Sequence, residues 1–258
     1  MGVNMNSFND FYMNTYKEFY NACKDNSVLS SSPIPCVVDN TMRTGGKHEN
    51  GTVFLKSDNI SDKDAQQVTR STIYHELTHY YDQKMFEKHG YSNKDINTLM
   101  LTFSEIHASY NALLVFLGYK NLVINRKIAI TKTVYKDFSL MQFAAYNVAT
   151  RTNNMNNIIG FKEFMYLLGE KRAFVKVSSD PLVINRAFST KHLPQLIRDE
   201  IVSIDKLINI NSFENIDVDK ISILRLGAEN KLTQLSYKEL LKDAPTDLQK
   251  EIQDLFGI

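Results

Sequence analysis

The sequence predicts an α+β fold, mainly helical, with a small N-terminal sheet and a helix-rich C-terminal part. Three observations predict it. No Pro or Gly interrupts the chain from Asp62 until Gly90, which fits one long helix. A short β-prone run, Thr52 to Lys56, follows the turn signals Gly45-Gly46 and Asn50-Gly51. Most of the remaining chain repeats apolar residues at helical spacing.

Taken in order, Phe8, Phe11, Tyr12, Phe19 and Cys23 form a helical stripe over residues 8–23. Ser30 to Pro35 reads as a loop and Ile34 to Asp39 as a short strand. Thr52 to Lys56 is the second strand. The long helix runs from about 62 to 89, with Ser61-Asp62 as its cap, Asp64 in its first turn and His89-Gly90 as its stop. A second helix spans about 95–117 and ends at Gly118. Further helices are expected near 136–152, 157–169, 191–208 and 236–256. Short strands are expected near Leu122 to Ile130 and Phe174 to Val177. Residues 1–118 form one expected lobe and 119–258 a second, mainly helical one, which can equally be one continuous domain. The stretch 119–134 is the expected join.

Composition narrows the function classes. The chain has 258 residues, 43% hydrophobic and 23% charged, enough for a sizeable core. Lys plus Arg is 30 against 29 for Asp plus Glu, so no global positive charge argues for nucleic acid or a polybasic membrane patch. Two cysteines, Cys23 and Cys36, make neither a disulfide framework nor a cysteine-built zinc site. No signal peptide, presequence or transmembrane run is visible; the expected location is cytoplasmic or one the sequence leaves unnamed. Oligomeric state leaves no mark in the sequence.

Chemistry enters at His75-Glu76-Leu77-Thr78-His79. Histidines at i and i+4 stand one above the other on a helix, so both imidazoles can reach one metal ion. A glutamate between them sits beside the water that such a metal acidifies. It can take the proton as that water attacks a peptide carbonyl. At about 100° per residue, Ile73, Tyr74, Leu77, Tyr80 and Tyr81 share one arc and His75, His79 and Asp82 the opposite one. One face should pack while the other looks into a cleft.

Zinc needs a third protein ligand, and no Gly breaks the helix after His79 to bring one from nearby. Glu105, in the next helix, is the expected ligand. Its wheel neighbours Leu101, Thr102, Ala108, Ser109 and Ala112 include several small residues, and a carboxylate on such a face calls for a partner. His107, His89 and Asp82 are the rivals. Asp82, one turn past His79, is better placed to orient a ligand histidine from behind. The strand carrying Val53, Phe54 and Leu55 precedes the motif and could bind an extended peptide as an edge strand.

Gly45-Gly46, Val53-Phe54-Leu55, the run Thr72 to Asp82 and Ser104-Glu105-Ile106-His107-Ala108 follow one another in an order that resembles a metallopeptidase family. It is the mitochondrial family that processes an ATP synthase subunit. The resemblance covers about residues 45–112. It implies a zincin-like fold of the gluzincin type, ligands His75, His79 and Glu105, base Glu76 and a supporting Asp82. His107 stands where that family has arginine, the family's cysteines are absent, and residues 119–258 lie outside the resemblance. Lethal-factor-like toxin peptidases share the same motif followed by Asp, with a glutamate on a later helix.

The expectation is therefore a zinc metalloendopeptidase with one zinc per chain and a protein or peptide substrate. The alternatives are a toxin- or effector-type zinc peptidase and an assembly or chaperone-like protein on a zincin scaffold. Tyr110, Tyr135, Tyr146 and His192 could each donate a hydrogen bond to a tetrahedral intermediate, and nothing in the sequence selects one. His48, beside a glycine-rich turn, reads as a solvated loop residue.

Overall fold

The computed structural model describes residues 8–57, 59–154, 160–189 and 195–241. Helix α1, Phe8–Ala22, buries Phe11, Tyr12, Thr15, Tyr16 and Phe19, the face its aromatic spacing predicts. Phe19 meets the ring of Tyr74 edge-on at 5.3 Å. The Tyr12 and Tyr16 hydroxyls donate to the carbonyls of Ile34 and Ser30, which pins the following loop to this helix.

Three strands follow: β1 (Cys36–Val38), β2 (Gly46–Glu49) and β3 (Thr52–Leu55). Their order is β1-β3-β2, with β1 parallel and β2 antiparallel to β3. Asn50 and Gly51 both take positive φ, 50° and 71°, the geometry of a two-residue type I′ hairpin turn. β2 was legible only as turn sequence, because Gly46-Lys47-His48-Glu49 has no apolar alternation. It becomes a strand because β3 offers it a ladder.

Helix α2 runs Lys63–Lys88. Asp62 caps it by accepting from Ala65 N, and Gly90 ends it with φ of 77°. The expected second helix is a continuous helical run in three parts: α3 (Asn93–Leu99), a π-helical turn (Met100–Ser104) and α4 (Glu105–Phe116). Leu101, placed beside Glu105 by a regular wheel, is 45% exposed while Glu105 is 4% exposed. The extra residue of the π turn rotates the two apart.

The hairpin β4 (Thr133–Tyr135) and β5 (Phe138–Ser139) leads into α5 (Leu140–Asn154). Helices α6 (Gly160–Val177), α7 (Pro181–Ala187), α8 (Arg198–Leu207) and α9 (Val218–Leu241) follow. Phe174 to Val177 is helical rather than extended: Phe174 and Val177, three apart, both lie on the fully buried face of α6. Of the strand expected at 122–130, only a bridge between Ile128 and Ser178 exists. The helix expected at 191–208 is a 3-10 turn, Gln195–Ile197, running into α8, and 191–194 lie outside the described residues. α9 starts well before the expected 236, at a cap the sequence reading overlooked, where Asp217 accepts from Lys220 N. Residues 242–256 of that expected helix, and 157–159 of the earlier one, lie outside the described residues.

One connected hydrophobic core extends from Phe11 to Leu232. α4 is sandwiched between α2 and α6. The α4–α6 approach is closest at Gly169, where a Cβ would lie 2.3 Å from the Ile106 carbonyl oxygen. No described helix is long and apolar enough to cross a membrane.

Candidate metal centre

The middle of α2 is enclosed on nearly all sides. From Ile73 to Asp82 only His75 is more than marginally exposed. Of the arc expected to look into a cleft, His75 borders one while His79 and Asp82 are buried; α1, the sheet and α4 form the enclosure. Within it the Nε2 atoms of His75 and His79 lie 3.1 Å apart. Glu105 Oε2 reaches in from α4, 3.5 Å from His75 Nε2 and 3.4 Å from His79 Nε2.

This triangle fits a cation. Tetrahedral zinc with ligand distances near 2.1 Å separates its ligand atoms by about 3.4 Å. The point equidistant from the three atoms here lies about 1.9 Å from each, just inside that ligand distance. Glu105 Oε2 is buried and makes no hydrogen bond, so its charge is aimed at the space between the imidazoles. His75, His79 and Glu105 could hold a metal ion.

Neighbouring groups orient these ligands. His79 Nδ1 lies 2.8 Å from Ser104 Oγ, the last residue of the π turn. The Lys162 ammonium of α6 sits 2.8 Å from Glu105 Oε1, leaving Oε2 for the site. Burial opposes charge on both partners, yet it is outweighed. His79 next to the carboxylate is held above its ordinary pKa, and Glu105 between His79, His75 and Lys162 well below the usual carboxylate range.

Three expectations are corrected. Asp82 does not orient a ligand histidine. It is fully buried and its Oδ1 lies 2.8 Å from His107 Nδ1, while Ser104 takes the position behind His79. His107, a rival ligand, is thus turned away from the triad, and its Nε2 meets Asn111 at 3.0 Å. The strand of Val53, Phe54 and Leu55 is not an edge. β3 is the central strand, hydrogen-bonded on both sides, with Val53 and Leu55 buried in the core. The edge beside the motif is β2. His48 belongs to it rather than to a solvated loop: its Nε2 is buried without a hydrogen bond, and burial, with His79 and Lys84 nearby, pushes its pKa down to about 4.

No family model, curated protein or solved structure matches this chain. A cleft of about 300 Å³ opens on it, bounded by Gly45, Gly46, His75, Glu76, Arg151 and Tyr166 among others. Glu76 is 4% exposed and packs against Gly46. On the far wall the Tyr166 ring meets His75 edge-on at 5.3 Å. Arg151 and Lys162 lie over the Tyr166 ring at 4.6 and 5.3 Å. Arg151 also pairs with Glu163 and Glu170. Tyr110, Tyr135 and Tyr146 do not border this cleft, and His192 lies outside the described residues. Tyr166, Lys162 and Arg151 escaped the sequence reading. No local spacing ties α5 and α6 to the motif on α2; only packing across α4 brings them there.

Proposed function

We propose that the chain is a zinc metallopeptidase that hydrolyses peptide bonds with one zinc ion per chain. The observation that carries this reading is the convergence of His75, His79 and Glu105 into one triangle, with Glu76 between that triangle and the free edge of β2. The machinery is that of the ATP-synthase-processing peptidases which residues 45–112 resemble. The role in ATP synthase assembly is not carried over, because 119–258 lie outside the resemblance.

The edge can take an extended peptide. Lys56 N donates to Gly45 O at 2.9 Å, and the hairpin turns over two residues, so hydrogen-bonded pairs alternate along β2. The backbone groups of Gly46 and His48 consequently face away from β3. Thr44 Oγ1 donates to the Gly46 carbonyl, which leaves Gly46 N–H and both backbone groups of His48 for an added strand. A peptide there passes in front of Glu76.

Zinc, when bound, supplies a Lewis acid that acidifies water and polarises a carbonyl. Glu76 accepts the proton of the attacking water and returns it to the departing amine. Tyr166 donates its O–H to the carbonyl oxygen as that oxygen gains charge, with Arg151 and Lys162 holding the ring. Gly46 and His48 fix the substrate backbone.

The test is metal analysis and peptide-library cleavage by untagged protein and by Glu76→Gln. The expected result is about one zinc per chain in both, with cleavage only in the wild type. Cleavage retained by Glu76→Gln, or wild-type protein that binds zinc and cleaves nothing, overturns the reading.

A further inference from the structure

A second cavity lies apart from the metal cleft. About 440 Å³ in volume, it lies toward the N-terminal half of α2, between that helix, the end of α4 and the segment leading into β4. Its wall carries five cationic side chains, Lys63, Arg70, Lys120, Arg126 and Lys132, and no Asp or Glu. In a chain whose formal net charge is +1, this is a local concentration of one sign. Glu18, outside the wall, pairs with Arg70 and lies 3.7 Å from Lys120. Among the described residues, Lys63, Arg126 and Lys132 have no ion pair, and all three are exposed.

This cavity neighbours the metal cleft. Phe116 borders both. Gln67, Ser71 and His75 follow one another at i, i+4 and i+8 along one face of α2. Gln67 borders the cationic cavity, and Ser71 and His75 border the cleft. Eight residues of helix span roughly 12 Å. An extended peptide covers that distance in about four residues.

We infer that the cationic cavity is a subsite for an acidic segment of the substrate, some four residues from the bond that is cut. The inference rests on the peptidase reading and adds a substrate class to it: peptides or proteins with Asp or Glu clustered at that distance. Lys63, Arg126 and Lys132 supply the attraction, and the Phe116 side chain separates this subsite from the metal cleft. Exposed charges in such a groove steer and select more than they bind tightly, so the preference is salt-sensitive.

The experiment has a binding arm and a cleavage arm. In the first, fluorescein-labelled hexaglutamate is titrated into Glu76→Gln protein by anisotropy, against hexalysine, hexaserine and a DNA hexamer. In the second, a peptide library with Asp or Glu, Ser, or Lys at two to six residues on either side of the cut bond is digested by active protein. Each arm is repeated with K63E/R126E/K132E and with the milder R126Q/K132Q. The expected result is hexaglutamate binding that weakens with salt and falls about 10-fold in the triple variant. The cleavage ratio of acidic over serine peptides falls in parallel. Unchanged binding and ratio in both variants, or tighter binding of the DNA, overturns the subsite. If nothing in the library is cleaved while the cavity still selects hexaglutamate, the peptidase reading fails and takes the substrate role with it, a result separate from loss of acidic binding alone.

Discussion

Gly46 stands so close to Glu76 that a Cβ at this position would lie 2.8 Å from Glu76 Oε1. The same Cβ would lie 2.9 Å from Thr72 Cγ2 and 3.0 Å from Glu76 Cγ. β2 can therefore lie against α2 only where it lacks a side chain, and that contact sets the position of Glu76 relative to the strand edge.

Gly46→Ala should force the Glu76 side chain aside. Displacing a reacting group by about 1 Å costs on the order of 100-fold in rate, and overpacking costs about 1–3 kcal/mol of stability. Gly45→Ala is the control, since its nearest atom is a methyl at 4.0 Å. Steady-state cleavage and thermal melting of the pair measure both effects. Equal activity of the two variants would show that the base tolerates the shift.

Ser104→Ala should weaken metal binding without unfolding the chain. Ser104 Oγ is the partner of His79 Nδ1, at 2.8 Å. Loss of such a partner typically costs 10- to 100-fold in metal affinity. Competition titration with a zinc chelator reads this directly. Affinity equal to wild type would assign the orientation of His79 to packing alone.

Tyr166→Phe keeps the edge contact with His75 but removes the hydroxyl. If that hydroxyl stabilises the developing oxyanion, kcat should fall by about 100- to 1000-fold. Zinc content should stay the same. A change confined to KM would instead make Tyr166 a substrate-positioning residue.

His48 gives a pH dependence of stability. Burial foremost, then His79 and Lys84, pushes its folded pKa down to about 4, against an ordinary value of 6.5. Between these values the unfolded chain binds the proton and the folded chain does not. The stability linked to this group is thus full above pH 6.5, lost as pH falls from 6.5 toward 4, and level below. His48→Gln should flatten that part of a urea-midpoint profile. An unchanged slope would place the acid sensitivity elsewhere.

The sequence by itself determined those features that are written within one element. Asp62 and Gly90 mark both ends of α2 because capping and left-handed termination are properties of single residues. His75 and His79 share a face because helical pitch alone aligns i and i+4. Asn50-Gly51 specified a turn for the same local reason. Tertiary structure decided what lies between elements. It made β3 the central strand and β2 the edge, since strand order depends on which ladder forms and not on apolar pattern. The π turn before Glu105 turned Leu101 out and Glu105 in, breaking the regular wheel on which the sequence reading depended. Asp82 went to His107 rather than to a ligand, through the packing of α4 on α2. The same packing carried α6 and Tyr166 to a site some ninety residues away in sequence. Side chains that meet across helices obey no fixed spacing, so the two histidines on α2 that could hold a metal were legible in the chain and most of the walls around them were not.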